Sequence, residues 1–343
     1  MLNLIEKNLY LVQNKILEYS NSSLPILNKI ITYSIKDAKY NRAKLFFLLI
    51  GLKNFSNVND KDQIIILCFQ DIFIKFSSAI EIIHTATLLH DDVIDEAITR
   101  RYKKTTHIQF TNKKSILTGD FLLAKALSII SEYQSSKILG IVCDSMSKII
   151  TGEIMQAQYN SLELELDEYY EIIKSKTAEL FKMTAICAYE LEFNNSHKFN
   201  IKNKLFDIEL FKFIGTEIGI IFQLVDDILD YFGNANNIGK DIFNDFFTQK
   251  FTLPLILLAK EKEANLYIKQ IFSNKEDNIY NKNEIIKNIL FFMNKYSIKQ
   301  KIQLELENKF NSFQYKLFTY NNVNNIYITS IIDLYKSIIK KIH

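Results

Sequence analysis

Residues 80–95 read IEIIHTATLLHDDVID, and residues 218–230 read IGIIFQLVDDILD. In each, a strongly apolar stretch runs into a pair of aspartates followed by a third, so that Asp91-Asp92-Val93-Ile94-Asp95 is matched by Asp226-Asp227-Ile228-Leu229-Asp230. Working outward, apolar residues from about 65 to 260 recur at three- and four-residue spacing with polar faces between them, which predicts one amphipathic helix after another. Breaks are expected at Asn54–Asp60, Thr111–Lys114, Asn194–His197, Gly233–Gly239 and Ser273–Asn283. Each is a short cluster of Asn, Ser, Gly, Asp or Lys, and none is long enough to link domains. The expectation is a single all-α domain over residues 1–343, with no solenoid-type repeat.

Composition agrees. The chain has 343 residues, 48% of them hydrophobic, enough for a large core, and only 8 Gly and 2 Pro, too few for the closely spaced turns of a β-sandwich. A net charge of +3, with basic residues spread along the chain, implies no nucleic-acid partner. Cys68, Cys143 and Cys187 lie far apart in apolar surroundings, which excludes a C-x-x-C zinc site and predicts buried, reduced thiols. The N-terminal MLNLIEKNLYLVQNK mixes Glu, Asn and Gln with apolar residues and has neither secretory nor transit character. No unbroken apolar run approaches a membrane span. A soluble, cytoplasmic protein is expected.

The chemistry is in the aspartates. On a helix, Asp91 and Asp95 share a face, as do Asp226 and Asp230, and like charges at that spacing repel. A hard divalent cation with oxygen ligands relieves that repulsion; Mg2+ binds through one or two carboxylates and completes its shell with waters and substrate phosphate oxygens. One acidic cluster alone is as readily a solvated helix end, but two, each closing an apolar helix, read as halves of one diphosphate site. Arg100 and Arg101 follow the first cluster, and Lys240 and Lys250 the second, supplying the cations that phosphate requires. His84 lies two helical turns before Asp91 on the same face, placing it toward the pocket rather than among satisfied core histidines.

These residues resemble the trans-isoprenyl diphosphate synthases, and most of all their long-chain, octaprenyl-type members. The likeness runs in order over about residues 80–260: IHTATLLHDDVIDE, Arg100-Arg101, LTGDFLLAKA, GEIMQAQ, SKTAELF, FQLVDDILDY, then GKD and KFTLP. It implies a large helical bundle of the isoprenoid synthase type around a central active-site cavity. It further implies that Asp91, Asp95, Asp226 and Asp230 bind magnesium bridged to an allylic diphosphate, supported by Asp92 and Asp227. Arg100, Lys176, Lys240 and Lys250 would contact that diphosphate, Lys176 also serving catalysis, with Thr177 and Gln223 at the reacting end. His84 and Arg101 would hold isopentenyl diphosphate. The implied reaction is head-to-tail condensation to a long trans-polyprenyl diphosphate, a quinone side-chain precursor, by a homodimer.

Product length would depend on the side chains one turn below Asp91. Ala86 and Thr87 are small there, leaving room for a long chain, whereas aromatics would close the tunnel early. The pattern departs from the family in its GGKRxRP segment, whose place is taken by Tyr40-Asn41-Arg42-Ala43-Lys44-Leu45. Arg42 and Lys44 keep positive charge, while the glycines, the leading Lys and the Pro are read as lost. Tyr102 replaces a Gly, and the acidic residue expected near Thr248 is absent. The alternative reading is therefore a weakly active or non-catalytic subunit of a heteromeric synthase. A class I terpene cyclase is disfavoured, because its second metal motif mixes Asn, Ser and Glu.

Overall fold

The computed structural model describes residues 2–36, 38–55, 71–100, 102–159, 162–191, 207–233, 242–273, 281–319 and 326–342. Sixteen α-helices are found among them: α1 (Leu2–Tyr19), α2 (Pro25–Ile35), α3 (Asn41–Phe55), α4 (Asp71–Ile94), α5 (Thr106–Phe110), α6 (Asn112–Ser131), α7 (Ser136–Gln158), α8 (Leu166–Ile173), α9 (Glu179–Glu190), α10 (Ile208–Phe232), α11 (Asn244–Phe247), α12 (Leu253–Ala259), α13 (Lys262–Ser273), α14 (Lys282–Lys295), α15 (Ile298–Phe318) and α16 (Ile326–Ile339). A 3-10 turn, Lys340–Ile342, follows α16. The only sheet among the described residues is a ribbon of two two-residue strands, β1 (Thr99–Arg100) and β2 (Lys103–Lys104), paired antiparallel. The expectation of an all-α fold holds.

Helix ends follow local chemistry. Asp207 caps α10 by accepting from the Leu210 N–H, at 2.9 Å, and Gly233 ends it, its N–H donating to the Leu229 carbonyl. The chain breaks as expected at the Thr111–Lys114 cluster: Thr111, at φ 134°, separates α5 from α6, and its hydroxyl accepts from the Lys114 N–H, so the remaining polar residues form the first turn of α6. Most of the other expected breaks fall outside the described residues. Arg100 sits on the ribbon rather than on a continuation of α4.

Helix α4 packs on α1, α3 and α6, and α10 packs mainly on α9, while α9 also meets α3 and α7, closing a ring of helices around a cavity. Phe73, Phe76, Ile80 and Ile83 of α4, with Phe211, Ile214, Ile218 and Ile221 of α10, are buried in the shared core. By length and composition alone α4 could cross a membrane, but two thirds of its apolar window (67%) is buried inside the bundle. Unbroken runs missed this helix because polar residues interrupt it. Cys187 is buried as expected, whereas Cys143 is exposed, its neighbour Val142 taking the inward position on α7; Cys68 lies outside the described residues.

Between α8 and α9 the chain widens into one turn of π-helix, Lys174–Ala178. Two glycines admit it. A Cβ on Gly152 of α7 would fall 2.6 Å from the Lys176 backbone nitrogen, and one on Gly219 of α10 would fall 2.4 Å from the Ala178 Cα. The π turn is thus gripped at backbone contact from both sides. Replacing Gly219 with Ala gains about 1 kcal/mol of helix propensity, but the overpacking costs about 1–3 kcal/mol. The expected net result is a lower urea midpoint with an unchanged m-value. A midpoint at or above that of the wild type would show that the contact relaxes freely.

Candidate active site

The ring of helices encloses a cavity of about 670 Å3. Asp91 and Asp95 reach it from the C-terminal end of α4, and Asp226, Asp227 and Asp230 from that of α10. The two clusters, distant in sequence, share one chamber. Arg42, His84, Thr87, Arg100, Lys176, Thr177, Gln223 and Lys250 line it as well. Lys44 and Ala86 do not: Ala86 is buried in the core, and Lys44 lies on α3 outside the lining. Arg101 and Lys240 are outside the described residues.

Several of the carboxylates are matched to donors. The Arg100 Nε donates to Asp92 Oδ1 at 2.8 Å, tying the ribbon to α4. Lys250 Nζ lies 2.5 Å from Asp95 Oδ2. Lys176 Nζ lies 2.6 Å from Glu153 Oε2 and donates to Gln156 Oε1 at 2.7 Å, so both acceptors come from α7, against which Gly152 holds the π turn. A second chain of bonds runs the other way. Thr177 donates to Gln223 Oε1 at 2.7 Å, the Gln223 amide nitrogen donates to Asp227 Oδ1 at 2.6 Å, and the Tyr169 hydroxyl donates to Asp227 Oδ2 at 2.6 Å. This fixes the orientation of Gln223, since its oxygen must face Thr177 and its NH2 must face Asp227. The Asp245 N–H donates to Asp230 Oδ2 at 3.1 Å.

The electrostatics show charge held under strain. Burial pushes Asp91 up to about 6; Lys176 pulls back, while Glu153 and Asp95 push further. Burial likewise raises Asp227 to about 7, aided by Asp245, although the hydrogen bonds from Tyr169 and Gln223 favour its charged form. Asp92 is raised by burial too, with Arg100 opposing.

Several polar residues of the lining escaped the sequence reading, and four of them bear on the motifs. Glu153 stands in GEIMQAQ beside the glycine, and Tyr169 belongs to no acidic or basic motif. Asp245 lies three residues before Thr248, where an acidic residue was sought. Lys39 is the fourth. In GGKRxRP the Lys precedes the second Arg by three positions, and Lys39 precedes Arg42 by three, so the leading Lys is present; the reading began one residue late, at Tyr40. Tyr40 itself takes a left-handed conformation, φ 49°, as the chain turns into α3.

Magnesium fits this donor set. All the acidic ligands are hard carboxylate oxygens, and among the described residues no group of three or more His, Cys, Asp and Glu side chains is gathered tightly enough to hold a metal ion unaided. Mg2+ takes such oxygens through one or two carboxylates and completes its shell with waters and phosphate oxygens. Asp91, Asp95, Asp226 and Asp230 are the residues that would hold it.

A helical bundle whose central cavity sets two aspartate clusters among paired cations defines an enzyme of the diphosphate-handling, all-α class. The chain belongs to the polyprenyl synthetase family, whose pattern it matches over residues 24–289. It is 32% identical over 263 residues to an octaprenyl diphosphate synthase of Haemophilus influenzae, across 76% of this chain and 73% of the relative. It is 36% identical over 184 residues to an octaprenyl diphosphate synthase of Escherichia coli, across 53% of this chain and 54% of that one. A solved polyprenyl synthase from Caulobacter crescentus CB15, complexed with calcium and isoprenyl diphosphate, is similar with a TM-score of 0.81 and 25% identity, covering 99% of this chain and 97% of its own.

The burial of Asp91 has a measurable cost. Between the ordinary carboxylate value and about 6, the folded protein keeps a proton that the unfolded chain has released, so metal-free stability falls as pH rises through that window and stays low above it. Asp91→Asn escapes that loss. Without metal, the variant is expected to be about 1–3 kcal/mol more stable than the wild type at pH 7.5 and to lose the advantage by about pH 4. Denaturation curves at the two pH values decide it, and equal stabilities at pH 7.5 would remove the burial cost from Asp91.

Proposed function

We propose that the chain is a trans-polyprenyl diphosphate synthase, condensing isopentenyl diphosphate onto an allylic diphosphate to give a long-chain product of octaprenyl type. The observation that carries this reading is the meeting of both aspartate clusters with Arg100, Lys176 and Lys250 in one cavity. Magnesium, when bound, would draw off negative charge as the diphosphate departs. The chain's own cations do the rest. As the allylic C–O bond breaks, its electron pair leaves with the diphosphate, and Arg100, Lys176 and Lys250 stabilise the charge that develops there. Lys39, Arg42 and His84 hold the diphosphate of isopentenyl diphosphate so that its double bond faces the allylic carbon. The C–C bond forms, and the proton lost to restore a double bond goes to the released diphosphate. No nucleophilic side chain is required.

With Lys39 and Arg42 both lining the cavity, the reading as a non-catalytic subunit loses the observation that favoured it. Thr87 takes on the length-determining role by itself, because it lines the cavity and Ala86 does not. The long-chain assignment also draws on the octaprenyl relatives. A homodimer is supported by exposed apolar residues on two adjoining helices, Ile116 and Leu117 of α6 with Ile150 and Ile154 of α7. A soluble, cytoplasmic enzyme is our reading, the apolar window of α4 being mostly buried inside the bundle.

The direct test is incubation with magnesium, farnesyl diphosphate and labelled isopentenyl diphosphate, with chromatographic sizing of the product. A discrete long polyprenyl product is expected, and activity should drop by about 10³-fold or more in Asp91→Ala and Asp226→Ala. Retention of activity in both variants would refute the site. Thr87→Phe should shorten the product, and an unchanged size distribution would place the growing chain elsewhere. Leu117→Glu with Ile150→Glu should yield monomers in sedimentation; a dimer that survives the pair would exclude this face.

A further inference from the structure

Arg100 reaches the cavity from a very short element. β1 and β2 contribute two residues each, and Arg100 pairs with Lys103 across the ribbon. A two-stranded hairpin is marginal in water even when it is longer. The turn adds strain, because Tyr102 holds φ 62°, a left-handed conformation that costs an L side chain what it does not cost a glycine. Two bonds close the base of the ribbon: the Thr105 N–H donates to the Ile98 carbonyl at 2.9 Å, and the Thr105 hydroxyl donates to the Ala97 carbonyl at 2.5 Å. Beyond its base, β1 is tied to α4 by the Arg100–Asp92 bond.

A second tether comes from α2, which packs on α4, α5 and α6. The Tyr33 hydroxyl donates to the Lys104 carbonyl at 2.7 Å, gripping β2 beside the residue that lies opposite Arg100. The ring is itself fixed. It meets Phe110 of α5 edge to face, with centroids 5.5 Å apart and planes at 83°, and Lys103 Nζ lies 5.7 Å from its centroid. At the next position the Ser34 hydroxyl donates its one proton to the Ile30 carbonyl at 2.8 Å, so it accepts from the Thr106 hydroxyl at 3.2 Å. Tyr33, Ser34, Asp92 and Arg100 line one narrow cleft between α2, α4 and the ribbon.

The two tethers answer differently to a ligand. A diphosphate that takes the Arg100 guanidinium competes for it with Asp92, so the bond to α4 is the one a substrate weakens. The bond to α2 ends on a backbone carbonyl and has no such competitor. We propose that Tyr33 is a positioning residue for Arg100, holding the ribbon in place while the guanidinium exchanges Asp92 for the allylic diphosphate. This rests on the reading of the cavity as a prenyl diphosphate synthase site. It gives a part in the reaction to a helix that carries none of the sequence motifs, and it supplies the external support that a ribbon of four residues with a strained turn requires.

The test is Tyr33→Phe in the full-length protein, which removes the hydroxyl and keeps the ring against Phe110 and Lys103. It is made alone and in an Arg100→Gln background. KM for farnesyl and isopentenyl diphosphates is read by initial rates, and binding of inorganic pyrophosphate with magnesium by calorimetry. Losing the one hydrogen bond should raise KM for farnesyl diphosphate and weaken pyrophosphate binding by about five-fold, with KM for isopentenyl diphosphate changed less than about two-fold. A residue that acts only through Arg100 has nothing left to position once the guanidinium is gone, so in Arg100→Gln the same change should alter pyrophosphate affinity by less than about two-fold. An unchanged KM for farnesyl diphosphate overturns the proposal, as does an equal rise for both substrates. So does a loss that persists in Arg100→Gln, which would mean that Tyr33 acts on the site without Arg100. If the wild type forms no polyprenyl product, the functional reading fails, while the calorimetric cycle still decides the role of Tyr33. A wild type that does not bind pyrophosphate with magnesium overturns both.

Discussion

Six aspartates gathered at the C-terminal ends of two buried helices impose the constraint that organises this molecule. The end of a helix already carries roughly half a negative charge from its unsatisfied carbonyls, so these are the least favourable positions on α4 and α10 for carboxylates. Desolvation adds to the cost, as the elevated Asp91 and Asp227 show. Nothing about stability recommends the arrangement. It persists because the surrounding elements bring compensating donors: the ribbon brings Arg100, the π turn brings Lys176, and the segment after α11 brings Lys250.

Each compensation depends on a particular piece of backbone. Lys176 and Thr177 are adjacent, yet one bonds Glu153 and Gln156 of α7 while the other bonds Gln223 of α10. Neighbouring side chains on a regular helix diverge by about 100°. The π turn sets both at the cavity, and Gly152 and Gly219 let α7 and α10 come close enough to receive them. Tertiary packing here serves the charges. The glycines are needed for contact between backbones, and the contact is needed to aim two side chains.

How much of this could be read in advance follows from what kind of pattern each residue makes. The aspartates were legible because their spacing repeats a chemical group on one helical face, and a like-charge pair requires an explanation wherever it falls. Arg100, Lys176 and Gln223 were reached through the motifs that contain them. Glu153 and Tyr169 were not, since a single carboxylate or phenol at the end of an apolar run has no local signature; only the approach of α7 and α8 to the clusters gives them a role. Lys39 was hidden by a misplaced register in a segment stripped of its glycines. Ala86 and Lys44 failed in the opposite way. Sequence proximity made them candidates, and helix rotation turned them away from the cavity.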